Sequence, residues 1–200
     1  AKKIGPQNGS FDLFFGAVSC LPDNDLLLKW QSSEMPPKII RLKYPSYRKY
    51  SDEYTPNRFS ETTRNMKSVF CRSSDGERIN MRIIRPKVRK KLAPFIIDVH
   101  GGPHGIIGDE FSPDTHAWID HRFGYCAINY RGSIGFGKKF EKKIYGNPGY
   151  WEVEDVVAAR NWLVKNKIAD PNKIILSGWS WGGYLVLLAL GKYPDLWLGG

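Results

Sequence analysis

Residues 173–190 read Lys-Ile-Ile-Leu-Ser-Gly-Trp-Ser-Trp-Gly-Gly-Tyr-Leu-Val-Leu-Leu-Ala-Leu, and the rest of the chain is best read outward from them. The short apolar run Lys173 to Leu176 suits a strand buried on both faces of a sheet, and Tyr184 to Leu190 suits a buried helix. Between them lies Gly178-Trp179-Ser180-Trp181-Gly182, a G-x-S-x-G pattern in the context of strand, sharp turn and helix that a nucleophile elbow requires. Glycines two residues to either side of the serine relieve crowding in a turn too tight for a Cβ. Such a turn lifts the Ser180 hydroxyl clear of the sheet. It also aims the Trp181 amide, at the helix N-terminus, toward the place where an oxyanion would form. A glycine-rich turn with an incidental serine is the competing reading, and the strand–turn–helix context favours the nucleophile.

Upstream, the run Phe95 to Val99 leads into His100-Gly101-Gly102-Pro103-His104-Gly105, placed as an HGGG-type loop that would supply a second oxyanion donor. Two histidines four apart share a helix face, but the intervening glycines and proline forbid a helix, so a metal site at His100 and His104 is not expected. His116 and His121 read as surface or packing residues. Cys126 to Tyr130 is a second apolar run, and Glu152 to Lys165 has helical spacing, acidic at its start and basic at its end. Arg131 to Gly137 is glycine-rich but has neither GxGxxG order nor a GK[ST] ending, so no nucleotide cradle is expected. Met66 to Cys71 and Arg78 to Ile84 flank an Asp75-Gly76 hairpin turn. The alternation of strands with helices predicts an α/β domain with a doubly wound, mostly parallel sheet. Its open edge is expected near Ile174 to Leu176.

Residues 1–58 read differently, as short strands at Leu13 to Val18, Leu26 to Gln31 and Lys38 to Tyr44 separated by turn signals. These are too few to close a β structure alone, and a polar stretch from Tyr47 to Thr63 marks a boundary. Residues 1–95 hold 19 Lys and Arg against 9 Asp and Glu, whereas 96–200 hold 11 against 11, so the net charge of +10 lies entirely in the first half. Its densest run, Arg85, Lys87, Arg89, Lys90 and Lys91, lacks the interleaved aromatics of a single-strand binder and reads as a solvated loop, so no nucleic-acid partner is expected. No run approaches the roughly 18 apolar residues that cross a bilayer, and no signal-peptide core is visible. Three scattered cysteines, Cys20, Cys71 and Cys126, make neither a disulfide framework nor a metal spacing, which favours a cytoplasmic setting.

Four strings in order, VHGGPHG (99–105), NYRGSIGFG (129–137), NPGYWEVEDVVAARNWL (147–163) and GWSWGGYL (178–185), resemble the prolyl oligopeptidase family of serine peptidases, closest to its acylaminoacyl-peptidase and dipeptidyl-peptidase branches. Residues 1–58 resemble, less specifically, the closing strands of the β-propeller that precedes the catalytic domain in that family, leaving 59–200 as the first part of an α/β-hydrolase domain. The resemblance implies Ser180 as nucleophile, the Trp181 backbone N–H as one oxyanion donor and the Gly102 backbone N–H as the other. The tyrosine hydroxyl that some branches use is replaced here by His100, which is expected mainly to shape its loop and to share a substrate-binding role with Trp181. The implied partner is a peptide substrate, with neither cofactor nor metal.

One departure stands out. The triad of α/β-hydrolases runs Ser, Asp or Glu, then His, yet all four histidines precede Ser180 and Asp195 follows it too closely to be the orienting acid. The chain is therefore expected to be an internal fragment, inactive alone, whose triad Asp and His lie elsewhere. A carboxylesterase on the same scaffold and a non-catalytic basic interaction fragment are the alternatives.

Overall fold

The computed structural model describes residues 5–6, 8–11, 18–56, 65–86 and 92–200, which fall into two compact units. The first comprises residues up to 65 together with 108–113. It holds an antiparallel sheet of β1 (Ser10–Phe11), β2 (Val18–Cys20), β3 (Leu26–Ser32), β4 (Met35–Leu42) and β5 (Tyr50–Tyr54), in which β3 pairs with β1, β2 and β4, and β4 with β5. Alternation along β3 and β4 places Leu28, Ile40 and Leu42 in a small core. Beside it the buried Asp25 carboxylate accepts Lys43 Nζ at 2.8 Å, the Tyr44 amide at 2.9 Å and Arg41 Nε at 2.7 Å. These donors, Lys43 foremost, hold Asp25 well below the usual carboxylate range. In the loop that joins this unit from afar, the Asp109 carboxylate accepts the Gly9 and Ser33 amides.

Strand β5 lies within the stretch expected to be a polar boundary. All five of its residues are exposed, so it carries no hydrophobic signal and owes its conformation to ladder bonds with β4. Of the expected strand Leu13 to Val18, residues 13–17 lie outside the described residues, as do Lys87 to Lys91 of the basic run.

The second unit, residues 66–107 and 114–200, contains β6 (Lys67–Arg72), β7 (Arg78–Ile84), β8 (Ala93–Val99), α1 (Pro113–Asp120, its first residue still in the first unit), β9 (Gly124–Asn129), α2 (Lys138–Glu141), α3 (Tyr150–Lys165), β10 (Ala169–Gly178) and α4 (Trp181–Lys192). The sheet order is β10-β8-β9-β7-β6. β8 pairs in parallel with both β9 and β10, while β7 pairs antiparallel with β9 and β6. The sheet is thus mixed rather than mostly parallel among the described residues. The cause is the β6–β7 hairpin, because a turn as short as Ser73–Glu77, closed at Gly76 with φ 86°, joins only antiparallel neighbours.

Strands β8 and β9 are the apolar runs read from the sequence, and β9 is buried along its whole length. Helix α3 begins two residues earlier than expected, at Tyr150. Gly149 precedes it with φ 87°, and the Glu152 carboxylate accepts the Gly149 amide at 3.0 Å, which supplies the N-terminal cap. The expected open edge at Ile174 to Leu176 is also corrected. Leu198 donates to the Ile174 carbonyl at 2.8 Å and Leu176 to the Gly199 carbonyl at 2.9 Å, so residues 198–199 begin a parallel pairing on the far side of β10.

Behind the sheet, Arg131 is fully buried and ties three elements together. Its guanidinium bonds the Asp155 carboxylate of α3 through Nε at 3.0 Å, reaches Ser73 Oγ at 2.8 Å and Asp75 Oδ2 at 2.6 Å in the hairpin turn, and lies 4.1 Å from the Trp151 ring centroid.

Helix α4 approaches β8 at backbone contact. A Cβ on Gly182 would overlap the Val99 carbonyl oxygen, whereas one on Gly183 would meet nothing nearer than the Gly178 carbonyl oxygen at 3.4 Å. Gly182→Ala is therefore expected to destabilise the fold by about 3 kcal/mol or more, since the obstacle is backbone. Gly183→Ala should be neutral or stabilising by up to about 1 kcal/mol, from helix propensity. Urea unfolding of the two variants checks the contrast, and equal effects would contradict the packing described.

Candidate active site

The elbow follows from how β10 hands the chain to α4. Gly178 ends the strand, Ser180 caps the helix, and Ser180 is held at φ 55° and ψ −121°, a left-handed conformation rare for a residue with a side chain. The turn closes through the Gly182 amide bonding the Trp179 carbonyl at 2.9 Å. Gly178 admits this closure, since a Cβ there would sit 2.6 Å from the Gly182 carbonyl. Trp179 projects outward, 82% exposed, directly beside Ser180. Trp181 is half-buried as the first residue of α4.

The loop after β8 lies on this elbow. A Cβ on Gly101 would meet the Trp179 carbonyl oxygen at 3.1 Å and Ser180 Cβ at 3.4 Å, so the first glycine of the HGGPHG string packs against the serine. Gly102 follows with φ 135°. The sequence-predicted residues His100, Gly102, Ser180 and Trp181 thus come from two loops at the C-terminal ends of adjacent parallel strands, where open α/β sheets place their sites.

His100 is shaped by partners that motif reading did not supply. A carbonyl can only accept, so the contact of Nδ1 with the Gly101 carbonyl at 2.7 Å puts the ring proton on Nδ1. Nε2 then accepts from the Ser133 hydroxyl at 2.8 Å. The ring stacks on Tyr130 with centroids 4.3 Å apart, and Tyr130 donates its hydroxyl to the His100 carbonyl at 2.7 Å. His104 Nδ1 is tied to the Gly132 carbonyl at 2.9 Å, and the Ile134 amide to the Gly105 carbonyl at 2.9 Å. The glycine-rich segment 131–137 is therefore a brace for the loop beside Ser180. The signal was present in the NYRGSIGFG string, but nothing in its spacing says which loop it supports.

His116 is half-buried on α1 and His121 is exposed just after it. Among the described residues no group of three His, Cys, Asp or Glu side chains is placed to hold a metal ion. No helix there is long and apolar enough to cross a membrane, and all three cysteines are free. A cavity of about 550 Å³ between the β6–β7 hairpin and α3 is lined by Phe70, Arg78, Val157 and Trp162 among others and includes no residue of the elbow.

Burial pushes the His100 ring below its ordinary pKa of 6.5, so the fold favours the neutral form. Ser133 can rotate to accept a proton from Nε2, so burial rather than a broken hydrogen bond opposes the charge. The unfolded chain takes up a proton near pH 6.5 that the folded chain binds only at lower pH. Stability should be fully present above that value and decline as pH falls below it. Urea unfolding between pH 7.5 and 5.5 measures this, and His100→Gln should flatten the part of the slope that His100 causes; an unchanged slope would remove the burial argument.

Residues 109–200 match the model of the prolyl oligopeptidase family. The chain is 33% identical over 119 residues to the acylamino-acid-releasing enzyme of Arabidopsis thaliana, a match covering 60% of this chain and 16% of that one. In structure it resembles the acylaminoacyl peptidase of Pyrococcus horikoshii, with a TM-score of 0.80 at 21% identity over 98% of this chain and 31% of that one. An acylaminoacyl peptidase in complex with Z-Gly-Gly-Phe-chloromethyl ketone is similar at a TM-score of 0.80 and 22% identity, covering 98% of this chain and 31% of that one. The chain thus spans about one sixth of the plant relative and about a third of the solved ones. The segment that matches the prolyl oligopeptidase family model carries the elbow and three of the four sequence strings, at 129–137, 147–163 and 178–185.

Proposed function

We propose that Ser180 is the nucleophile of a serine-type peptidase that cleaves peptide bonds near the N-terminus of short peptides through an acyl-enzyme. The observation that carries this reading is the left-handed Ser180 at the strand-to-helix junction, with the Gly101 backbone packed on it. Strain is retained where surrounding structure over-determines it, and here it presents a hydroxyl at the mouth of the sheet. In this reading Ser180 Oγ attacks the scissile carbonyl, and the Trp181 and Gly102 amides hold the tetrahedral oxyanion. The exposed Trp179 and half-buried Trp181 flank the substrate, and His100 holds the Gly102 loop in place.

The base comes from outside these 200 residues. His100 and His104 are committed to Gly101, Ser133 and Gly132, and among the described residues no histidine hydrogen-bonds to the Ser180 hydroxyl. The triad Asp and His therefore belong to a longer polypeptide, as does much of the specificity pocket. The antiparallel sheet of the first unit is read as the closing strands of a β-propeller within residues 1–58, with 59–200 opening an α/β-hydrolase domain. The peptide class of substrate is supported by the peptide ketone bound to a structurally similar protein. A cytoplasmic setting is part of the same reading, on the scattered positions of the three cysteines in the sequence.

A serine-directed fluorophosphonate probe tests this. The full-length protein should label at Ser180, and Ser180→Ala should abolish labelling and reduce acylpeptide hydrolysis by at least about 10³-fold. The 200-residue chain alone should label negligibly, because loss of a triad member costs roughly 10⁴-fold or more. Hydrolysis of simple esters but not acylpeptides would favour a carboxylesterase. Salt-sensitive polyanion binding with no labelling would favour a non-catalytic basic module.

A further inference from the structure

The starts of α3 and α4 meet beside the elbow. Gly149 is packed so closely by α4 that a Cβ there would lie 2.9 Å from Tyr184 Oη, and the Tyr184 ring packs on Trp181 with centroids 5.2 Å apart. Glu152, on the first turn of α3, has no exposed surface. Its Oε2 accepts the Gly149 amide at 3.0 Å, but its Oε1 is buried with no hydrogen-bond partner. The Trp181 indole Nε1 is likewise buried and unpartnered.

An orphaned acceptor and an orphaned donor at one packed contact are a costly arrangement unless they serve each other. Burial raises the Glu152 pKa, the neighbouring Asp155 adds to the rise, and the nearby Trp181 indole N–H acts against it. The Tyr130 hydroxyl, which braces His100, feels the same carboxylate and is itself raised by burial and by Glu152.

We propose that Glu152 is a positioning residue for the elbow, its Oε1 accepting the Trp181 indole N–H so that one carboxylate caps α3 and fixes the first residue of α4. The inference rests on the reading of Trp181 as an oxyanion donor, because fixing the indole fixes the backbone amide next to Ser180. A carboxylate serves better than an amide here. It offers two acceptor oxygens to two N–H groups, whereas Gln offers one.

The test uses the full-length protein with ¹⁵N-labelled tryptophan and glycine. The Trp181 indole resonance is the one lost in Trp181→Phe. In Glu152→Ala it should shift and lose protection from hydrogen exchange, and an unchanged shift and exchange rate would overturn the proposal. Should that variant not fold, Glu152→Gln keeps the volume, and either the Trp181 indole or the Gly149 amide must then lose its acceptor; no change in either overturns the proposal equally. Fluorophosphonate labelling of Ser180 should slow about tenfold in Trp181→Phe and in Glu152→Ala, with the double variant no slower than the slower single one. Independent effects multiplying to about 100-fold would overturn the coupling. Absence of labelling in the wild-type protein would refute the nucleophile reading instead, and the indole resonance would still decide the hydrogen bond.

Discussion

The contact between Gly182 and the Val99 carbonyl sets the terms for the whole site. With no side chain at that point, α4 rests on the β8 backbone, at a separation that any Cβ would forbid. A helix seated that close leaves β10 a two-residue space in which to turn, and the left-handed Ser180 is what fits that space. The same proximity brings the loop after β8 onto the elbow, so that Gly101 touches Ser180. Strand, turn, helix and loop thus share a single distance, and the strain at Ser180 is one consequence of it.

Arg131 anchors the opposite side. A buried ion pair is weak evidence for stability, because desolvation of both charges offsets much of their attraction, but leaving one partner unpaired is costly. Here the guanidinium is shared by the β6–β7 turn, the end of β9 and α3, so a shift of any one of them would strand a charge. This supports reading the network as a device for register: it fixes α3 against the sheet, and α3 carries Glu152 to the start of α4. The bonds from Arg131 to Asp155 give α3 a polar anchor in a region otherwise built largely from Val, Ile and Leu.

The two glycine-rich loops show how polar bonds replace a core where none is available. Residues 100–105 have few apolar side chains to pack, and they are held by His100 on Ser133, His104 on Gly132 and Gly105 on Ile134. The neutral His100 ring suits this use, because it offers one donor and one acceptor within a partly dry site.

Local patterns determined a good deal. The glycine spacing around Ser180, the apolar runs of β8 and β9 and the helical period of α3 are short-range properties, because crowding, burial and helix geometry act over a few residues. Those elements were legible with ends off by a residue or two. Strand β5 was not, since an exposed edge strand takes its conformation from its neighbour's hydrogen bonds rather than from its own side chains. Nor was the pairing of Leu198 and Gly199 with β10, the antiparallel pairing of β7 with β9, or the partnership of His100 with Ser133 and of Arg131 with Asp155. Each joins residues far apart in the chain, and which distant donor meets which acceptor depends on how the elements pack, a quantity that no local pattern of residues encodes.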